Sequence, residues 1–199
     1  MKNIFGYKKT PATLGEQAYD RLNFTFEMCY NELNLFCEVI YMTDIIIRKY
    51  NEKDADEVLN LIHRNSLEIN AKDYGLEFMQ KFVDICDVNW LSKRASFCHM
   101  YVTEENGSIV GVGGISSYFG SLTESIILNV FVLPEYHGKG IGRKIVQTLE
   151  KDEYGIRANR IEVPASITAK EFYYKLGYKF KNGVEELDEE KHYRMEKVK

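Results

Sequence analysis

Hydrophobic and polar positions follow two regimes along this 199-residue chain. Residues 1–43 begin polar and then run L-N-F-T-F-E-M-C-Y-N-E-L-N-L-F-C. Leu22, Phe26, Cys29, Leu33 and Phe36 recur at helical spacing, which predicts one long helix. Its polar positions form no clean face. Three placements stay open for it: packing on the main domain, pairing with a second copy as a homodimer, or lying upstream of the functional unit. A self-contained pattern starts just after Met42, which makes that residue a candidate internal start.

From Ile45 onward the periods shorten. Ile45–Lys49 reads as a strand. Asp54, with Glu57 three residues on, reads as a capped helix start, and Ala55, Val58, Leu59 and Ile62 form its inward stripe. A second helix is predicted over Leu76–Trp90, with Met79, Val83 and Cys86 inward. Phe97–Thr103 and Ile109–Ser116 alternate like strands around Asn106-Gly107, a hairpin signal because a tight turn there needs positive φ at both residues. S-I-I-L-N-V-F-V-L makes a third strand that Pro134 ends. Ile141, Ile145 and Leu149 then mark a helix, and Arg160–Val163 a short strand. Ser166 can cap a helix carrying Ala169, Phe172, Tyr173 and Leu176, with Gly177 at its C-terminal end. His192–Glu196 closes as an edge-like strand. The order β-α-α-β-β-β-α-β-α-β predicts an α/β layered domain over residues 44–199 with a mixed sheet, preceded by a helical extension over residues 1–43.

Composition narrows the partners. The chain is 45% hydrophobic and 28% charged, with a formal net charge of -4. An acidic domain is poorly suited to neutralising phosphates along a nucleic acid, so no nucleic-acid partner is expected. No apolar run approaches the ~20 residues of a membrane span, and no secretory leader is visible. Cys29, Cys37, Cys86 and Cys98 form no C-x-x-C pair. Reduced thiols in a cytoplasmic protein are the expectation. His63, His99, His137 and His192 show no metal-ligand spacing, so no metal is expected.

The densest chemical signal is V-L-P-E-Y-H-G-K-G-I-G-R, residues 132–143. Its G-x-G-x-G spacing departs from the dinucleotide fingerprint G-x-G-x-x-G, and Gly138-Lys139 lacks the hydroxyl residue of a nucleotide P-loop. A glycine-rich turn entering a helix still offers successive backbone N–H groups to an anion. Lys139, Arg143 and Lys144 stand at that helix start, where cations oppose the helix dipole unless an anion offsets them. A ligand-free strand–helix connection is the plainer alternative.

This stretch resembles the acyl-CoA signature of the GNAT superfamily of N-acyltransferases. A-S-I-T-A-K-E-F-Y-Y-K-L-G-Y resembles that family's second signature, and H-Y-R-M-E-K its closing strand. The resemblance covers about Ile45 to the C-terminus. It implies a mostly antiparallel central sheet, splayed at the acyl-CoA site and flanked by helices. It implies that acetyl-CoA is the co-substrate, its pyrophosphate held by backbone amides of His137, Gly138, Lys139, Gly140, Ile141 and Gly142, with Arg143 beside them. Main-chain groups of Val130 and Val132 would pair with pantetheine, with Pro134 and Pro164 ending pairing on either side. Ser166 stands where the family often has Asn, and His137 where it has Gln or Arg. Tyr173 takes the general-acid position, four residues before Gly177; the alternative is a core tyrosine bonded to a backbone carbonyl. Tyr174 reads as a surface or subunit-contact aromatic.

The implied reaction needs a neutral amine. For a lysine-like acceptor, with a reference pKa of about 10.4, deprotonation at pH 7 costs about 4.6 kcal/mol. A base must therefore act. Glu124 and Glu162 are candidates, each alternatively a solvated strand carboxylate. His99 reads as structural, and Asn129 can orient a water but not act as a base. The resulting expectation is acetyl transfer to a primary amine of a small molecule or amino acid by direct attack in a ternary complex. Alternatives are a protein lysine or N-terminal acetyltransferase, and a non-catalytic acyl-CoA-binding module.

Overall fold

The computed structural model describes residues 45–199. The predicted N-terminal helix, the extension over 1–43 and the Met42 start lie outside the described residues.

A seven-stranded sheet is the frame. Its strands are β1 (Ile45–Lys49), β2 (His99–Glu105), β3 (Ser108–Ser117), β4 (Glu124–Val132), β5 (Arg160–Ala165), β6 (Lys179–Phe180) and β7 (Tyr193–Val198). They lie in the order β1-β2-β3-β4-β5-β7-β6. Every pairing is antiparallel except β4 with β5. That parallel pairing runs only from Glu124↔Arg160 to Ile126↔Glu162. Beyond it the two strands part, β4 continuing to Val132 and β5 to Ala165. The sheet is therefore split down its middle.

Both faces of the sheet carry helices. Helix α1 (Ala55–Asn65) leads through a π-turn (Ser66–Asn70) to α2 (Ala71–Tyr74), followed by α3 (Leu76–Ile85) and α4 (Val88–Ala95). Val58, Leu59, Ile62 and Leu91 of α1 and α4 form one core with Val102 and Val112 of the sheet. Helix α5 (Ile141–Glu150) lies in the other core, with Ile141, Ile145 and Leu149 buried beside Ile127, Ile161 and Val163. Helices α6 (Glu153–Arg157) and α7 (Lys170–Tyr174) complete the fold. Glycines in β3 let α5 approach: a Cβ on Gly113 would lie 2.5 Å from Ile145 Cγ2. Gly113→Val is expected to destabilise the chain by about 1–3 kcal/mol through overpacking, readable as a lower urea midpoint.

The predicted elements appear in the predicted order, with the short helices α2 and α6 and the two-residue β6 added to them; further differences have local causes. The predicted Leu76–Trp90 helix is two helices, because Asp87 accepts from Trp90 N at 2.7 Å and caps a new start. The first cap is one turn earlier than expected. Asn51 and Asp54 form the capping box, and the Asp54 carboxylate is held by Arg48 at 2.7 and 3.0 Å. Glu57 instead accepts from Ile109 N on β3. Ser166 is not a cap: α7 starts at Lys170 with Ala169 at its N-cap, and Ser166 contributes only its carbonyl to the turn. The closing strand is interior, flanked by β5 and the two-residue β6. Cys86 and Cys98 are buried, and burial pushes each thiol up to about 11, which keeps both protonated. Among the described residues, no helix is long and apolar enough to cross a membrane.

Candidate functional site

The split is shaped by a β-bulge in β4. Pairing steps from Val112↔Phe131 to Gly114↔Leu128, so Asn129 and Val130 together face Gly113. Asn129 takes up the extra residue at φ 55°, a left-handed conformation that asparagine tolerates better than most residues. Its Nδ2 is buried without a partner among the described residues. Leu133 N donates to Val110 O, so the ladder alternation turns the polar groups of Val132 away from β3, toward the opening.

The glycine loop follows directly. Pro134–Tyr136 make one 3-10 turn, then Gly138 and Gly140 adopt φ 78° and 80°. An added Cβ at either would meet nothing within 4 Å. These two glycines thus face free space, and their need is conformational. Gly142 differs: a Cβ there would lie 3.2 Å from Phe172 Cζ, so this glycine seats α7's aromatic against α5. Helix α5 has no side-chain cap at Gly140. Its first N–H groups, from Gly140 to Arg143, therefore remain open, as helix geometry requires. Arg143 and Lys144 are exposed beside them, and Lys139 Nζ sits 4.3 Å from the Tyr136 ring centre. Two of the predicted amide contacts are engaged within the loop, His137 N donating to Pro134 O at 3.1 Å and Lys139 N to Tyr136 O at 3.5 Å, and Ile141 has its side chain buried in the core. Only its N–H can face a ligand.

His137 and Val132 correct one expectation. His137 Nε2 donates to the Val132 carbonyl at 2.8 Å, and Asn65 Nδ2 donates to the same oxygen at 2.7 Å. That carbonyl is satisfied within the protein. At Val132 only the N–H stays open to an incoming strand-like group.

Tyr173 belongs to the α5-side core, edge-on to Phe172 at 4.9 Å and to Tyr178 at 5.7 Å. Burial raises its pKa above the ordinary tyrosine value, so it stays protonated across the neutral range. No protein hydrogen bond of its hydroxyl occurs among the described residues, unlike that of Tyr178, which donates to Glu150 Oε1 at 3.0 Å. Tyr174 is exposed.

Both glutamates are paired, Glu124 at the surface and Glu162 in the interior. Glu124 is gripped by Arg160 through two 3.0 Å bonds, which lower its pKa. Glu162 is 1% exposed. Its Oε2 takes Arg160 at 2.6 Å and Lys181 at 2.8 Å, while Oε1 lies 3.7 Å from Arg194 and has no hydrogen bond. Ile161, Val163 and Ala165 of β5 point into the α5-side core, so the alternation puts Glu162 on the opposite face from Tyr173. Sequence reasoning missed Arg160, Lys181 and Arg194, which bind this carboxylate from three separate segments. It also missed a cluster of Asp188, Glu190 and His192, whose candidate ligand atoms lie within 4.8 Å of one another. Asp188 there is already engaged, by Arg194 at 2.5 Å and by the backbone N–H of Glu190 and His192. His99 is structural as expected in one respect: its Nδ1 pairs with the buried Asp152 at 3.0 Å.

Comparison with known proteins agrees with this geometry. The family model described as an acetyltransferase (GNAT) domain matches residues 70–199, well over half of the chain. No curated protein matches in sequence. Among solved structures, PaiA N-acetyltransferase from Thermoplasma acidophilum, in complex with coenzyme A, is 19% identical with a TM-score of 0.67, over 78% of this chain and 99% of that one. A GCN5-related N-acetyltransferase from Rhodopseudomonas palustris is 24% identical with a TM-score of 0.64, over 79% and 97%. YncA from Salmonella typhimurium, solved with acetyl-CoA, is 14% identical with a TM-score of 0.57, over 78% and 94%. At these identities the structural likeness is one of fold, and the family match carries the assignment. The chain belongs to the GNAT acetyltransferase family.

Proposed function

We propose that this protein transfers the acetyl group of acetyl-CoA to a primary amine of a small molecule or amino acid, by direct attack in a ternary complex. The observation that carries the reading is the split between β4 and β5, with the open N–H groups of Gly140 to Arg143 just beyond the end of β4. Acetyl-CoA would supply an activated acyl carbon and a pyrophosphate anchor. The loop fits that anchor: Gly138 and Gly140 leave room above their backbones, and exposed Arg143 and Lys144 add charge. The outward main chain of Val130 and the Val132 N–H would meet pantetheine, and an N–H there would stabilise charge on the thioester oxygen.

The two faces suit opposite proton transfers. The amine nitrogen forms the new C–N bond as the C–S bond breaks. Glu162, on one face, keeps an Oε1 without a hydrogen bond, 3.7 Å from Arg194, for the amine's proton, directly or through a water. Tyr173, on the other, has a protonated hydroxyl without a hydrogen bond among the described residues, which could protonate the thiolate. Glu124 has both oxygens on Arg160 and would serve to hold that arginine. Glu162→Gln is expected to lower kcat by roughly tenfold or more, and Glu124→Gln by less than about threefold. A larger loss in Glu124→Gln than in Glu162→Gln would reverse the assignment. A cytoplasmic setting fits the buried, protonated Cys86 and Cys98.

The deciding experiment is thiol release from acetyl-CoA across a panel of small amines, amino acids and lysine peptides. Release with small amines supports the proposal. Release with peptides alone would make the protein a protein acetyltransferase. Tight binding without release would make it an acyl-CoA-binding module.

A further inference from the structure

The segment from Arg64 to Tyr74 is tied to both walls of the split. At its start, Asn65, 5% exposed, donates to the Val132 carbonyl at the end of β4. Beside it, Arg64 reaches Glu135 of the glycine loop with bonds of 2.9 and 3.1 Å. At its end, Asp73 accepts from Thr168 N at 2.9 Å and from the Thr168 hydroxyl. The Tyr74 hydroxyl accepts from Ile167 N at 3.3 Å and donates to Lys191 O at 3.1 Å. Ile167 and Thr168 follow β5 after one intervening residue, and Lys191 precedes β7. The strap therefore starts on the β4 wall and finishes on the β5–β7 wall. Between its anchors the helix widens into the π-turn Ser66–Asn70, a distortion that recurs at functional sites.

We infer that Asn65 at one end, and Asp73 with Tyr74 at the other, are positioning residues that fix the width of the split and hence the approach of amine to acyl carbon. The inference rests on the acetyl-transfer reading above. β4 and β5 share no ladder beyond Ile126 and Glu162, so their own pairing does not set that width. A strap held at two ends has a particular signature: releasing either end frees it, and releasing the second adds little.

The test compares Asn65→Ala, the pair Asp73→Ala with Tyr74→Phe, and their combination, in the full chain. Each set is expected to lower kcat/KM for the best amine by about tenfold, and the combination by about tenfold as well. Thermal stability losses should likewise fall short of their sum, because freeing the strap at one end already loosens the other. Amide hydrogen exchange of residues 66–72 should accelerate along the whole segment in either set. Rate losses that multiply to about 100-fold, rates that do not change, or exchange that quickens only next to the mutated anchor would each overturn the inference. If wild type releases no thiol with any amine, the functional reading fails separately, and hydrogen exchange still decides the strap. Tyr74→Phe alone, which keeps the ring, serves if the paired variant does not fold.

Discussion

A valine at Gly140 is expected to weaken acetyl-CoA binding by about 100-fold while the chain stays folded. Gly140 is the N-cap of α5 at φ 80° and ψ 3°. A residue with a Cβ costs roughly 1–2 kcal/mol in that conformation, more when β-branched. Among the described residues, no atom beyond the neighbours in the chain lies within 4 Å of the added Cβ, so the penalty is backbone strain and not collision. The loop can relieve it by turning the peptide, which re-aims the N–H groups meant for the pyrophosphate. The valine methyls also take the space an anion needs. One charge-assisted hydrogen bond is worth about 1.5–3 kcal/mol, which brackets the 2.7 kcal/mol of a 100-fold change. Isothermal titration with acetyl-CoA beside a thermal melt would check it. Undiminished affinity in the variant would remove the cradle from the proposal. Gly142→Ala is the internal contrast: its Cβ presses on Phe172, so melting temperature should fall more than affinity.

His137 takes on a meaning from the geometry that its sequence position did not suggest. It stands where the family pattern has Gln or Arg, which reads as a weakened phosphate contact. Its ring instead ties the loop back onto the Val132 carbonyl, beside Asn65. Two donors on one oxygen hold the end of β4 and leave the Val132 N–H as the open group. The side chain at this position thus shapes the strand end, and the phosphate donors are main chain.

What the sequence made legible was local. Alternation, the Asn106-Gly107 turn and the Pro134 stop placed the strands. The glycine spacing placed the loop. The features it concealed depend on partners distant in the chain. Ser166 looked like a helix cap, but its loop is fastened from outside by Asp73 and Tyr74, which contact Thr168 and Ile167 across sequence separations of 95 and 93. Glu162 read as either a candidate base or a solvated strand carboxylate. It is buried by Arg160, Lys181 and Arg194, and its face follows from a sheet register that no local pattern encodes. The Leu76–Trp90 break was closer to legible: Asp87 is a good cap, but the apolar period runs through it.

Tyr173→Phe should lower kcat by about 10²-fold or more, the range expected for a lost general acid. The substitution removes one oxygen from a ring held by Phe172 and Tyr178, and no protein hydrogen bond goes with it. Stability should therefore hold, and any loss of rate belongs to chemistry. The pH profile sharpens the test. Burial raises the tyrosine pKa, so the hydroxyl keeps its proton as pH rises through 10 and loses it only above the ordinary tyrosine range. For wild type, kcat/KM should climb on the alkaline side as the amine loses its proton, with no downturn from Tyr173 below about pH 10. The phenylalanine variant should keep that climb at a uniformly lower level. A variant with the full wild-type rate at every pH would return Tyr173 to the core as a packing residue. Leaving-thiol protonation would then fall to water or to a group on the Glu162 face.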